Sequence, residues 1–423
     1  SASTTGRQGK LLIIFTNHKT MNKINSRLSS KLSLSPRFVF WALRRIRRGL
    51  LIIKMPDGTA HQFGTPDPTV LTAQVTVHDT HMFRRLIRAG NTGFAEAYME
   101  GQWSTPDLAG LLTLLNINMN LYRQHIETVA FMKFFTRLIH TLRPNSRRGA
   151  QRNIHAHYDL GNEFYRHWLD PSMTYSSALF DGRGRNLEDA QENKYKTLSE
   201  QIGLGPDHHV LEIGCGWGGF AEYAARHIGC KVTGITISRE QLAFGQKRIQ
   251  ASGLSDRVDL KYCDYRDVDR QYDRVVSIEM FEAVGEKYWP VFFDKLRTCL
   301  KPGGRAGLQI ITIEDARFEA YRKNADFIQR YIFPGGMLPS HNKIKEAVHA
   351  ANLRLSSKTD FARDYAETLA RWRQQFLKAW PDIQTIGFDR RFKNMWEYYL
   401  AYCEAGFSTG SIDVSHFTLD RPA

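Results

Sequence analysis

"VLEIGCGWGGFAEYAA", residues 210–225, is a short apolar run that stops at a cluster of glycines and resumes as a helical pattern. The stretch reads as strand, turn and helix, with Gly214, Gly216, Gly218 and Gly219 forming the turn. Glycines there let the backbone come close to a ligand beside the helix N-terminus. The turn alone does not name that ligand, because dinucleotide enzymes use similar ones. An NAD site would end its second strand in an acidic residue that holds the ribose diol. Here the second strand ends in "TGITISREQ" (233–241), which offers Thr236, Ser238 and Gln241 instead.

Outward from the turn, "HHVLEIG", "KVTGITI", "VDLKYCD", "YDRVVSIEM" and "RAGLQIITI" are apolar runs with helical stretches between most of them. That alternation predicts an α/β fold with a parallel sheet covered on both faces. The third run ends at Asp264 and Tyr265, an acceptor and a ring suited to an adenine, and "LKPGG" (300–304) precedes the last run. Together these features resemble the class I S-adenosylmethionine methyltransferases over residues 206–313. The resemblance implies a Rossmann-like sheet and S-adenosylmethionine as cofactor. It would be held by Gly214, Gly216, Gly218, Thr236, Ile237, Gln241, Asp264 and Tyr265.

At 423 residues the chain is long enough for a catalytic domain and a smaller one. The formal charge of +15 favours an anionic partner, nucleic acid or bilayer, without choosing between them. Five cysteines, odd in number and without CxxC spacing, indicate neither a disulfide framework nor a zinc site, and fit a reducing cytoplasm. No apolar run approaches the roughly 20 residues that cross a bilayer, so a peripheral or soluble chain is expected. "RFVFWALRRIRRGLLII" (37–53) places aromatic and aliphatic residues at helical spacing among arginines, the composition of an interfacial helix on an anionic membrane or of an ordinary surface helix. Residues 54–145 read as a small mixed unit. Polar, basic "RPNSRRGAQRN" (143–153) marks the boundary between a basic, lipid-associating domain (1–145) and a catalytic domain (146–423).

"IHAHYDLGNEFYRHWLDPSMTYSSALF" (154–180), "MFEAVG" (280–285), "RYIFPGGMLPS" (330–340), "DYAETLARW" (364–372) and "FKNMWEYYLAYCEAGF" (392–407) are together similar to the cyclopropane fatty acid synthases and their mycolic acid relatives. The resemblance implies methyl transfer from S-adenosylmethionine to the cis double bond of an unsaturated phospholipid acyl chain, through a carbocation that closes a cyclopropane. Tyr175 and Ser176 would close over the methionine portion. In the family a bound bicarbonate is the base. Carried over, Glu282 and Tyr365 would hold it, with Ser177 at a cysteine position, Ile311 at a histidine position and Ile313 at the following isoleucine.

Isoleucine can neither hydrogen-bond nor share a proton, so Ile311 opens two further possibilities: a substitute partner such as Gln309, and a methyl-branched or methylene product. A different class, an RNA methyltransferase or RNA-binding protein, would show a recognisable RNA module, and none is found; no nucleic-acid partner is expected. The resemblance also implies a membrane-facing enzyme on the inner face and a homodimer. No metal is expected: His155 and His157 have no acidic or cysteine partner at metal spacing and read as lid or core residues. Most of Trp396, Tyr398, Tyr399 and Tyr402 read as core, and Glu212 as a structural acid beneath the glycine turn.

Overall fold

The computed structural model describes residues 34–66, 71–123, 160–182 and 184–423. The chain divides into two compact units, Ser1–Arg45 and Ile46–Ala423. The expected boundary at 143–153, and His155 and His157, lie outside the described residues.

The stretch 37–53 is not one helix. In the first unit a helix covers Leu34–Leu43 and exposes Phe38 and Trp41, with the Arg45 guanidinium 4.0 Å over the Trp41 ring. In the second unit, Gly49 turns the backbone at φ 78° into strand β1, Leu50–Lys54. The alternation of Leu51 and Ile53 inward is what a β-branched run does on a half-buried sheet, and it overrides the helical spacing of the arginines. With β2 (Ala60–Gly64), β3 (Thr72–Val77) and β4 (Trp103–Ser104) it forms a small sheet in the order β2-β1-β3-β4.

Helices His81–Met99 and Leu108–Arg123 follow; the first is interrupted at Gly90, whose φ of 55° and ψ of −135° are not helical. Both pack against the helix Arg390–Ser408. Polar contacts from the same two helices add to this: Asn116 donates to Thr409 and Ser411, just past that helix, and Glu96 accepts from the Tyr331 hydroxyl.

The five runs expected as strands are strands: β5 (His209–Ile213), β6 (Lys231–Thr236), β7 (Val258–Tyr262), β8 (Tyr272–Ile278) and β9 (Leu300–Ile313). They pair in parallel, and the expectation of a parallel sheet holds that far. Beyond β9 the sheet turns antiparallel: β10 (Arg354–Asp360) and β11 (Ile412–Asp420) complete the order β10-β11-β9-β8-β5-β6-β7. β11 pairs with β9 from Arg305 to Ile313 and sets His416 opposite Gln309.

Three of the helices around the sheet start at side-chain caps that satisfy an otherwise orphaned N–H. Asn186 caps Leu187–Gln201, Ser238 caps Arg239–Ala251, and Ser340 caps His341–Ala350. Strand order reverses around β5 and β8, which opens a crevice at their C-terminal ends, where open α/β sheets bind ligands.

Candidate active site

The turn after β5 is knitted to β6 by the Gly214 and Cys215 N–H groups, both donating to the Ile235 carbonyl at 2.9 and 3.0 Å. Gly214 has φ 84° and its missing Cβ would lie 2.8 Å from Met280 Cγ, so the position requires glycine twice over. A Cβ at Gly216 would meet nothing within 4 Å: its backbone faces open space. Gly218, at φ 83°, begins the helix Gly219–Tyr223. Thr236 donates to Gln241 Oε1 at 3.2 Å, and both are buried. Asp264 accepts from Arg266 through N, Nε and Nη2, so its carboxylate is already neutralised by a neighbour. The Tyr265 ring packs edge-on to Phe292.

A single cavity of about 2000 Å³ is lined by this turn, by Thr236, Ile237, Gln241, Asp264 and Tyr265, and also by Leu112, Leu115, Met119, Leu369 and Phe407. Of the residues singled out in the sequence, Tyr175, Ser176, Glu282, Ile311, Ile313 and Tyr365 line it as well, as do Tyr398, Tyr399 and Tyr402; Ser177, Gly218 and Trp396 do not. Tyr175 and Tyr399 share a hydrogen bond between hydroxyls at 2.8 Å. Exposed Arg88 lies on the cavity lining.

Two carboxylates, Glu279 and Glu282, follow β8 and line the cavity. The sequence places Tyr365 and Glu282 around one bound anion; in the structure the Tyr365 hydroxyl donates to Glu279 Oε2 at 2.6 Å. Ser177 N–H and Gln309 Nε2 both donate to Glu279 Oε1, at 2.8 and 2.7 Å. The Ser177 hydroxyl turns away and donates to the Ala178 carbonyl. His416 fixes the Gln309 amide: its Nε2 lies 3.0 Å from Gln309 Oε1. Burial holds His416 down at about 3, so its ring is neutral. The Glu279 carboxylate accepts, so Gln309 presents its N–H to it and turns Oε1 to His416; that oxygen can only accept, which assigns the ring proton to Nε2. Burial raises Glu279, while the donors and the Lys194 charge act against it.

Glu282 has a different task. Its Oε1 accepts from Ile311 N–H at 2.5 Å and its carbonyl accepts from Met337 N–H at 2.8 Å, joining β9 to the loop of "FPGGM". Its Oε2 is buried and has no hydrogen-bond partner among the described residues. Burial, and then the Glu279 charge, push Glu282 up to about 8, so near neutrality it is a carboxylic acid.

Lys194, fully buried, donates to Ser176 Oγ at 2.6 Å and Gln191 Oε1 at 2.7 Å. Burial lowers it to about 7 against the pull of Glu279, Asp170 and Glu212. Glu212 is buried beneath the turn and raised to about 8 by burial. Sequence reasoning passed over Glu279, Lys194 and His416. An acid at the very end of a sheet strand was a usable signal for Glu279.

An acid whose folded pKa is raised stabilises the fold below its unfolded pKa and loses that contribution as pH rises through the folded one. For Glu282 the window runs from 4.5 to about 8. Urea unfolding is therefore expected to show wild type losing stability relative to Glu282→Gln between pH 5.5 and 8.5, with a slope of up to about 1.4 kcal/mol per pH unit. Parallel pH profiles for the two proteins would contradict this placement of the charge.

Glycine turn, parallel sheet with an antiparallel end, and a cavity joining the turn to an apolar wall define a class I S-adenosylmethionine-dependent methyltransferase fold. The chain belongs to the mycolic acid cyclopropane synthetase family, whose model matches residues 145–417. This is a family of S-adenosylmethionine-dependent lipid methyltransferases.

Among similar proteins, the tuberculostearic acid methyltransferase UfaA1 of Mycobacterium tuberculosis is 39% identical over 384 residues, 86% of each chain. The cyclopropane-fatty-acyl-phospholipid synthase of Escherichia coli is 34% identical over 351 residues, 82% of this chain and 88% of that one. The mycolic acid cyclopropane synthase CmaA1, solved with SAH and CTAB, superposes with a TM-score of 0.60 at 29% identity, covering 66% of this chain and 99% of that chain. Among the described residues no helix is long and apolar enough to cross a membrane.

Proposed function

We propose that this chain transfers the methyl group of S-adenosylmethionine to the cis double bond of an unsaturated phospholipid acyl chain, and that the resulting cation loses a proton and closes a cyclopropane. The observation that carries this reading is the cavity in which the glycine turn, two half-buried carboxylates and a wall of aliphatic and aromatic side chains share one space. S-adenosylmethionine supplies a sulfonium methyl. The residues present suit it: open backbone at Gly216, buried Thr236 and Gln241 for a ribose, and the Tyr265 ring for an adenine.

An alkene is a weak nucleophile, so the chain's part is to align it, exclude water and stabilise positive charge. Tyr175, Tyr399 and Phe407 offer ring faces for that charge. Leu112, Leu115 and Met119 suit an acyl tail, and Arg88 a lipid phosphate. The helix Leu34–Leu43, with exposed Phe38 and Trp41 beside Arg44 and Arg45, suits an anionic bilayer. Vesicle flotation is expected to retain the protein on anionic but not zwitterionic vesicles at low salt; equal flotation on both would remove the membrane from the reading.

A second reading, an open methyl-branched chain, is favoured by Ile311 at the family's histidine position and by the 39% identity to the tuberculostearic acid methyltransferase. Gas chromatography and mass spectrometry of acyl chains from a host rich in monounsaturated phospholipid, expressing this chain, separates the two. A ring leaves the product two hydrogens lighter than a saturated branch of equal carbon count. Unmodified acyl chains would sink both.

A further inference from the structure

The family resemblance implies bicarbonate as the base, and the residues of this chain do not fit it. Of the groups expected to hold the anion, Ser177 N–H and the Tyr365 hydroxyl already donate to the Glu279 carboxylate. Ile311 has replaced the imidazole, and its own N–H is committed to Glu282 Oε1. Of these groups, Glu282 Oε2 is the one left without a partner among the described residues. One acid oxygen does not hold a second buried anion beside Glu279.

We propose that Glu279 is itself the proton acceptor of the reaction, its carboxylate standing in the place of an external bicarbonate. The inference rests on the methyl-transfer reading above. Three donors converge on this side chain, and their distribution is uneven. Ser177 N–H and Gln309 Nε2 occupy both lone pairs of Oε1, whereas Tyr365 occupies one of Oε2. Among the described residues nothing else donates to Oε2, so one of its lone pairs remains open on a side chain that lines the cavity.

The backbone supports the same reading. Glu279 is held at φ 49°, a left-handed conformation costing a residue with a Cβ about 1–2 kcal/mol. That conformation lies between the end of β8 and the Glu282 segment, anchored by Glu279 N–H donating to the Gln309 carbonyl at 2.9 Å.

In the step, the alkene π pair forms a bond to the methyl carbon as the carbon–sulfur bond breaks, its pair remaining on sulfur. A C–H bond of the transferred methyl then breaks. Its electron pair closes the second ring bond, and the proton passes to Glu279 Oε2. Gln309, held by His416, and Tyr365 are positioning residues for that oxygen.

The test uses the full chain and the variants Glu279→Gly and Glu279→Gln. Glycine suits the left-handed backbone and vacates the carboxylate's place; glutamine keeps its volume. Carbon-13 NMR with labelled bicarbonate is expected to show no binding to wild type and binding to Glu279→Gly, a readout independent of turnover. In carbon dioxide-free buffer, wild-type turnover is expected to be unchanged by added bicarbonate. Both variants are expected to lose about 10³-fold in turnover while still binding S-adenosylmethionine, and Glu279→Gly to regain part of it with bicarbonate or formate.

Bicarbonate binding to wild type, a fall in wild-type turnover on its removal, or full turnover by Glu279→Gly without added anion would each overturn the proposal. If wild type methylates no unsaturated phospholipid, the functional reading falls instead, and the binding measurement still decides whether Glu279 occupies the anion site.

Discussion

A Gly214→Ala variant is expected to bind S-adenosylmethionine about 30- to 100-fold more weakly than wild type. Two costs act at once. Alanine at φ 84° costs about 1–2 kcal/mol for the left-handed backbone, strain that the empty turn sheds by shifting and that donor binding must restore. Its methyl would also lie 2.8 and 2.9 Å from Met280 Cγ and Cβ, and the Cβ belongs to the segment that carries both carboxylates. Relieving that contact displaces the turn or the carboxylate segment, at a cost of about 1 kcal/mol more. The comparison is Gly253→Ala, which has φ 67° but open surroundings and does not line the cavity. Isothermal titration should find its donor affinity unchanged while both variants lose some thermal stability. Equal donor affinity in the two would mean that the turn after β5 is not the donor's cradle.

Tyr365→Phe is expected to lower turnover by about 10- to 100-fold with donor affinity intact. The ring is stacked on Phe407 with centroids 4.3 Å apart, and phenylalanine preserves that contact. What is lost is the hydroxyl's hydrogen bond to a half-buried carboxylate, a charge-assisted interaction of about 1.5–3 kcal/mol. Burial and the Glu279 charge hold the Tyr365 phenol well above its ordinary value, so it serves as a fixed donor across the working pH range. A variant with unchanged turnover, or one that loses donor affinity in proportion, would place Tyr365 outside the reacting end of the cavity.

Much of the sheet was legible because its strands are short apolar runs punctuated by turn residues, and each of the five expected runs is a strand. β10 and β11 were not. "RLSSKTD" is mostly exposed, and "IDVSHFTLD" buries serine, histidine and threonine along with its apolar residues, which masks it as a core strand. Their polar side chains make sense only in the assembled site, where His416 orients Gln309.

The same limit applied to the carboxylates. Spacing marks Glu279 and Glu282 as neighbours three residues apart, but a left-handed residue at 279 decides which of them meets Tyr365, and no local pattern announces a positive φ on a glutamate. Lys194 was hidden for a related reason. On a helix rich in charge it reads as solvated, whereas tertiary packing buries it against Ser176 and Gln191.

The proposed reaction transfers a sulfonium methyl to an acyl double bond inside one cavity, lined by the glycine turn and both carboxylates, and then takes a proton from it. The most direct test incubates the purified chain with monounsaturated phospholipid and S-adenosylmethionine bearing a trideuterated methyl group, followed by mass spectrometry of the acyl chains. The account predicts an added one-carbon unit retaining two of the three deuteriums. Retention of all three would show that the transferred carbon loses no proton, and an unlabelled lipid would contradict the claim altogether.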